Sequence, residues 1–300
     1  MISTKLAGIG LGAALSAVLL VLPAQAQRTY VANGGSNGGG CTFSTPCSSM
    51  TTAIFETQSG GTLSCLTDGD YGAAVTISVT MTIDCIGTTA NVGPFTIDGT
   101  GITVTIKNVT IYNRNAPAIS FNNGARLYLD NVTIDSDTDG LLVQTSGPST
   151  VVVSNSTFKN NAAGVLIKPQ AGGSVSATFN GVTIANNSGG GLKTDTTNGL
   201  VSADISNSTI SNNGGNGMNA VSGAGGTNML NIKNSVIARN GGAGVQANGA
   251  NAAALIDTTL LDSNTAGAIS AASGGRVLTY GNNRIVGSSG TGFTGPAPLQ

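Results

Sequence analysis

Histidine and tryptophan are absent from this 300-residue chain, and charged side chains make up only 8% of it. That is not the composition of an ordinary mixed globular domain. Six lysines and six arginines, thinly spread, cannot neutralise a run of phosphates, which excludes nucleic acid as a partner. No run after residue 26 is long and apolar enough to cross a bilayer, and the C-terminal part lacks the alternating apolar segments of a membrane barrel. Five tyrosines and seven phenylalanines leave few rings for stacking on sugars. Cysteine is scarce as well: four residues with no C-x-x-C pair, a pattern of staples rather than of a redox site. Low charge does not imply disorder, because apolar residues reach 40% and the net charge is −1. What is plentiful is glycine, 45 residues, with many Asn, Ser and Thr: a composition for strands and tight corners.

Residues 1–26 read as a signal peptide: Lys5, an uncharged and largely apolar stretch from Leu6 to Leu22, then Pro23-Ala24-Gln25-Ala26 as the small residues of a cleavage site. Cleavage after Ala26 leaves 11 basic and 13 acidic side chains, a net charge near −2, and an exported chain that is secreted, periplasmic or extracellular, with no membrane insertion.

Behind the leader the sequence repeats. Asn108-Val-Thr-Ile111, Asn131-Val-Thr-Ile134, Asn155-Ser-Thr-Phe158, Val182-Thr-Ile184, Asn207-Ser-Thr-Ile210, Asn234-Ser-Val-Ile237, Thr258-Thr-Leu-Leu261 and Asn282-Asn-Arg-Ile285 are spaced 23, 24, 26, 26, 27, 24 and 24 residues apart. Three residues after the apolar position stand Asn161, Asn187, Asn213, Asn240 and Asn264. A Gly-apolar pair follows, as in Gly164-Val165 and Gly191-Leu192, and a third strand-like run such as Val151-Val-Val153 completes each unit. A period in this range marks a solenoid. The reading is all-β: a right-handed parallel β-helix with three short strands per coil, stacked about 4.8 Å apart. Corners absorb the drift in period, and the recurring Asn forms an internal ladder of side-chain amides. A leucine-rich horseshoe would need L-x-x-L-x-L units and helical returns, and neither is present.

The divisions are a cap over 27–61, the β-helix over 62–286 and a tail over 287–300. Pro46 to Thr57, closed by Gly60-Gly61, has the polar start, the apolar pair Ile54 and Phe55, and the glycine stop of a short capping helix. Four cysteines in an exported chain imply disulfides, with three pairings open. Thr62-Leu-Ser-Cys65 and Thr82-Ile-Asp-Cys85 align at an offset of 20, which stacks Cys65 on Cys85 in adjacent coils and leaves Cys41 with Cys47.

Thr51-Thr-Ala-Ile54, Gly60-Gly-Thr-Leu63, Gly69-Asp-Tyr-Gly72, Val75-Thr-Ile77 and Thr82-Ile83 together resemble the way the pectate-lyase-like superfamily leads from a capping helix into its first coils. The cysteine pattern is similar to that of small exported bacterial β-helix repeat proteins. The superfamily spans lyases, hydrolases, epimerases, tailspikes and adhesins, so the resemblance implies a fold and leaves function open. Its paired-Asp, G-H-G and R-I-K hydrolase motifs have no counterpart here. Lyase chemistry there uses an Arg or Lys base with calcium, and the candidate bases are Arg114, Arg126 and Lys159.

The sharpest local motif is Asp135-Ser-Asp137-Thr-Asp139-Gly140, the D-x-D-x-D-G opening of a calcium loop, which makes Asp135, Asp137 and Asp139 candidate metal ligands, although position 12 is Ser146 rather than Glu. Structural pairings compete for the same residues: Asp137 at the top of the Asn ladder with Arg114, and Asp135 with Lys159. Asn-x-Ser/Thr triplets at Asn108, Asn131, Asn155 and Asn207 coincide with the repeat corner and read as structural. The expectation is an exported surface or matrix rod, non-catalytic, with no cofactor unless calcium binds, and with a polysaccharide or cell-surface component as partner, by glycan binding or adhesion. The alternative is a polysaccharide lyase or other carbohydrate-active enzyme.

Overall fold

The computed structural model describes residues 27–112, 116–135, 137–289 and 292–297; the leader and Arg114 lie outside them. The chain winds into a right-handed parallel β-helix with three faces. One is a nine-stranded sheet running from Val75–Ile77 to Ile269–Ala272. The other two belong to a twenty-stranded sheet folded along a corner. We call them the long face, typified by Pro148–Ser154, and the short face, typified by Thr157–Lys159. Thr103–Tyr112 and Arg126–Asp135 pass through both without a break.

Stacking puts like on like. Inward residues of the long face form one file, in which Leu63, Ile83, Ile106, Leu129, Val153, Phe179, Ile205, Ile232 and Ile256 are successive register partners. The repeat's apolar anchors form a second, Ile111 to Leu261, on the short face. Both files are buried. Strands of three to seven residues cannot hide an inward face alone, and one rung supplies the next with its apolar floor.

Two corners turn each coil by left-handed residues. Between the long and short faces Asn108, Asn131, Asn155, Asn207 and Asn234 hold φ between 47° and 55°, a region Asn tolerates better than other side chains. The next residue turns inward and the one after it outward, a Thr in every case but Val236, which is why the Asn-x-Thr triplets recur: they are corner chemistry. The inward Ser156, Ser208, Ser235 and Thr259 make a hydroxyl ladder. Ser208 Oγ accepts from Val182 N at 3.2 Å and donates to Ser206 O at 2.6 Å, and Ser235 and Thr259 repeat the arrangement.

At the second corner Asn160, Asn186 and Asn212 are left-handed and the following Asn points inward. Asn187 donates to Asn213 Oδ1 through both its backbone N (3.1 Å) and Nδ2 (2.8 Å), and Asn213 and Asn240 repeat the pattern upward. Asn161, Asn187, Asn213, Asn240 and Asn264 are all at most 2% exposed. The Gly that follows Asn161, Asn187, Asn213 and Asn240 is forced by crowding: a Cβ on Gly191 would stand 2.5 Å from Gly217 O and 2.7 Å from Ile210 Cγ2. Gly191→Ala should therefore cost about 1–3 kcal/mol of overpacking, read as a lower urea midpoint, whereas Gly147→Ala, with open space around it, should leave the midpoint in place.

The ends differ from the sequence divisions. Helix Met50–Glu56 is capped by Ser49, whose Oγ accepts from Thr52 N at 3.2 Å. It buries Met50, Ala53 and Ile54, while Phe55 is 86% exposed. Of the apolar pair Ile54 and Phe55 only Ile54 turns inward, because helical spacing of three and four residues selects the 50/53/54 face. The stack also begins below the helix: Arg28–Val31 is a rung in register with Gly61–Cys65. At the other end Gly295–Pro296 pairs on Arg276–Thr279, so part of the tail is a last short rung. Cys41 bonds Cys47 (Cα–Cα 4.7 Å) and Cys65 bonds Cys85 (4.6 Å), the latter across adjacent coils.

Candidate functional site: a groove across the long face

Outward residues at the start of the long-face strands line a groove of about 740 Å³. Its geometry follows from strand alternation. Ser149, Val175 and Val201 turn inward, so their neighbours turn out. Register then makes one file of Arg126, Thr150, Ser176, Ser202 and Met229, and beside it a second of Pro148, Ser174 and Leu200. The first file spans four rung intervals, roughly 19 Å. Loops 168–173, 197–199 and 223–227 stand at its edge and enclose a smaller glycine-lined hollow of about 300 Å³ that shares Leu200. These are the places where the repeat lengthens to 26 and 27 residues, so insertion at corners is what walls the groove. Arg126 is the one ionisable residue lining it; the rest are hydroxyls and apolar side chains.

The two candidate bases among the described residues, Arg126 and Lys159, do not meet. Arg126 sits in the groove, Arg114 lies outside the described residues, and Lys159 Nζ is 3.2 Å from Asp135 Oδ2 on the short face, the pairing expected from the repeat.

The three Asp residues of the calcium-like motif also part company. Asp135 faces out, engaged by Lys159 and by Asn160 Nδ2 at 2.7 Å. Asp137 is 6% exposed and occupies the rung position of the ladder, its backbone N donating to Asn161 Oδ1 at 2.9 Å. Asp139 opens the strand Asp139–Val143, where burial pushes its carboxyl pKa up. Among the described residues no three His, Cys, Asp or Glu converge on a common point that could hold a metal ion. The D-x-D-x-D-G spacing needs a freely looping backbone to aim its carboxylates together, and here a rung of sheet aims them apart.

Asp139 carries a pH prediction. A raised folded pKa means that its contribution to stability is present below the unfolded value of about 4 and is lost as pH rises through the folded value. Asp139→Asn should therefore be more stable than the parent at pH 7, with the gap closing towards pH 3 in paired urea titrations.

The groove's hydroxyls and the Ser ladder were not identified from sequence. The signal was present: Thr150, Ser176 and Ser202 recur at the repeat offset and flank the inward Val151, Ala177 and Ala203. Small polar residues in such files look the same whether they line a groove or face bulk water.

Residues 64–204 match the family model described as a right handed beta helix region. Among solved structures, pectate lyase Pel9A superposes with a TM-score of 0.59 at 17% identity, covering 91% of this chain and 79% of that one. A rhamnogalacturonan lyase gives 0.49 at 11% identity, covering 78% and 74%. The A-module of the Azotobacter vinelandii mannuronan C-5 epimerase AlgE4 gives 0.38 at 11%, covering 80% and 89%. No curated protein sequence matches. From the coil register, the family-model match and the pectate lyase superposition together, this chain carries the right-handed parallel β-helix fold.

Proposed function

We propose that the protein is an exported, non-catalytic rod that seats a polysaccharide chain along the long-face groove. The observation that carries this is the groove's inventory: hydroxyls at one-rung spacing, apolar patches at Leu200 and Met229, one guanidinium and no carboxylate. Hydroxyl files suit hydrogen bonding to sugar hydroxyls, and Arg126 can clamp one uronate carboxylate by a bidentate contact. Glycoside hydrolysis needs two carboxyl groups about the scissile bond, and lyase chemistry needs a base together with a group that acidifies the proton it removes. The groove offers neither pair. Export is supported by the two disulfides, and no helix among the described residues is long and apolar enough to cross a membrane. The fold likeness to a pectate lyase favours a second reading, a polysaccharide lyase with Arg126 as base.

The test is incubation with uronate and neutral polysaccharides, with and without Ca²⁺, following unsaturated product, reducing ends and co-sedimentation. Co-sedimentation without product is expected. Arg126→Ala should weaken uronate binding by about 1 kcal/mol, some fivefold in Kd, and leave neutral glycans unaffected. Product that disappears in Arg126→Ala would instead establish the lyase.

A further inference from the structure

Large apolar side chains that stand exposed collect at the two ends of the rod. Phe43 (69%), Phe55 (86%) and Ile86 (74%) belong to the first coils, and Tyr280 (43%) and Val286 (40%) to the last, while Tyr112 and Leu200 lie between them. Two of the end features occupy the same face. Phe43 projects from the Cys41–Cys47 loop, which is bonded beneath the lowest long-face strand: Tyr30 N donates to Cys41 O at 2.7 Å, Cys47 N to Tyr30 O at 2.9 Å, and Val31 bridges Cys47. The loop is held by its disulfide and by Thr42 and Thr45 hydroxyls 2.7 Å apart, and the Phe43 ring stands edge-on to Tyr30 at 5.5 Å. It is a preorganised apolar knob.

At the top of the long face, the last rung Gly295–Pro296 borders an apolar hollow of about 460 Å³ lined by Tyr280, Phe293, Pro296 and Ala297. That hollow has room for one aromatic side chain. The terminal rung is only two residues long, too short to template simple edge pairing, and the hollow is what remains for an incoming surface. An unbroken series of parallel register partners joins Arg28–Val31 to Gly295–Pro296, so knob and hollow lie at opposite ends of one face of the rod.

We infer that a second copy of this chain docks end to end, its Phe43 knob entering the Tyr280/Phe293/Pro296 hollow of the copy below. Such a contact uses a different patch on each partner and does not close, so it propagates into a linear chain rather than a dimer. The contact is small, and association belongs to high local concentration, as in a matrix or on a surface.

Sedimentation velocity of the exported protein from about 10 μM to about 1 mM tests it, with thermal melts as the control for folding. The expected result is a mean mass that climbs without a plateau at two, and loss of that climb in Phe43→Asp and in Tyr280→Asp. Each variant keeps the half the other lacks, so an equimolar mixture of the two should stop at a heterodimer. Phe55→Asp, on the helix away from this face, should associate like the parent. A parent that stays monomeric throughout, a plateau at dimer, or variants that associate as the parent does would each overturn the inference.

Discussion

Asn213→Ala should lower the unfolding free energy by about 2 kcal/mol, with an unchanged denaturant slope. Asn213 Oδ1 accepts from Asn187 N at 3.1 Å and Asn187 Nδ2 at 2.8 Å, and its own Nδ2 donates to Ile184 O at 3.1 Å and Asn240 Oδ1 at 2.9 Å. Truncation strands the Asn187 N–H in a site where Asn213 is 2% exposed, while the Ile184 carbonyl, on a strand in register with Ile210, keeps its sheet bond. Each buried polar group left unpaired costs about 1–3 kcal/mol. Asn187 Nδ2 keeps Phe158 O, and Asn240 Oδ1 keeps Asn213 N, so those two groups are not orphaned. Asn213→Asp preserves the acceptor for Asn187 N but loses the donor to Ile184 O; it should fall between alanine and the parent and recover as acid protonates it. Urea titration of the three proteins decides the matter. A loss under about 1 kcal/mol for alanine would mean that water replaces the amide and that the ladder is a consequence of stacking rather than a cause of it.

The second large effect is at the lower end of the rod. Removing the Cys65–Cys85 bond by paired serine substitution should cost about 3 kcal/mol, and removing Cys41–Cys47 about 2, because the loops they close span 20 and 6 residues. Location matters as much as size. In a solenoid each rung contacts only its neighbours, so the end rungs open first. The serine pair should therefore lose amide protection in residues 28–85 before the coils from Arg126 upward lose any, a pattern hydrogen exchange resolves. Uniform loss along the chain would show that the coils unfold as one unit. Serine substitution of Cys41 and Cys47 should also loosen the loop that carries Phe43, tying end-to-end association to an oxidising surrounding.

Whatever stacking repeats was legible in the sequence. The anchors from Ile111 to Ile285, the ladder from Asn161 to Asn264, and the Cys65 and Cys85 alignment all recur because one rung must offer the next the same chemistry at the same place. Features that occur once were not legible. Arg28–Val31 is a rung whose inward residues are Thr29 and Val31, and Thr29 meets the Thr57 hydroxyl at 2.5 Å rather than another apolar side chain, so it carries no repeat signature. The helix was legible from its apolar pair Ile54 and Phe55, but which of the two turns inward was not, because that depends on the three-and-four spacing shared with Met50 and Ala53. The Asp135, Asp137 and Asp139 spacing was visible, but the direction of each carboxylate depends on the sheet alternation beneath it, which a motif does not encode. The groove escaped for a different reason: it is made of residues whose types suit water equally well, and only the corner insertions that wall it mark its place.

The uniform register has one more consequence. Thr183 pairs Thr209, and Asn187 and Asn213 are 26 residues apart. Excising 183–208 would therefore bring Asn161 onto Asn213 and Phe158 onto Ile210 with both of those inward files continuous, shortening the rod by one spacing, roughly 4.8 Å. It breaks the buried contact of Asn228 with Thr194, so a coil is close to a bead on a string, and gene-level duplication or loss of a bead can set the reach of the molecule at the cost of repairing that contact.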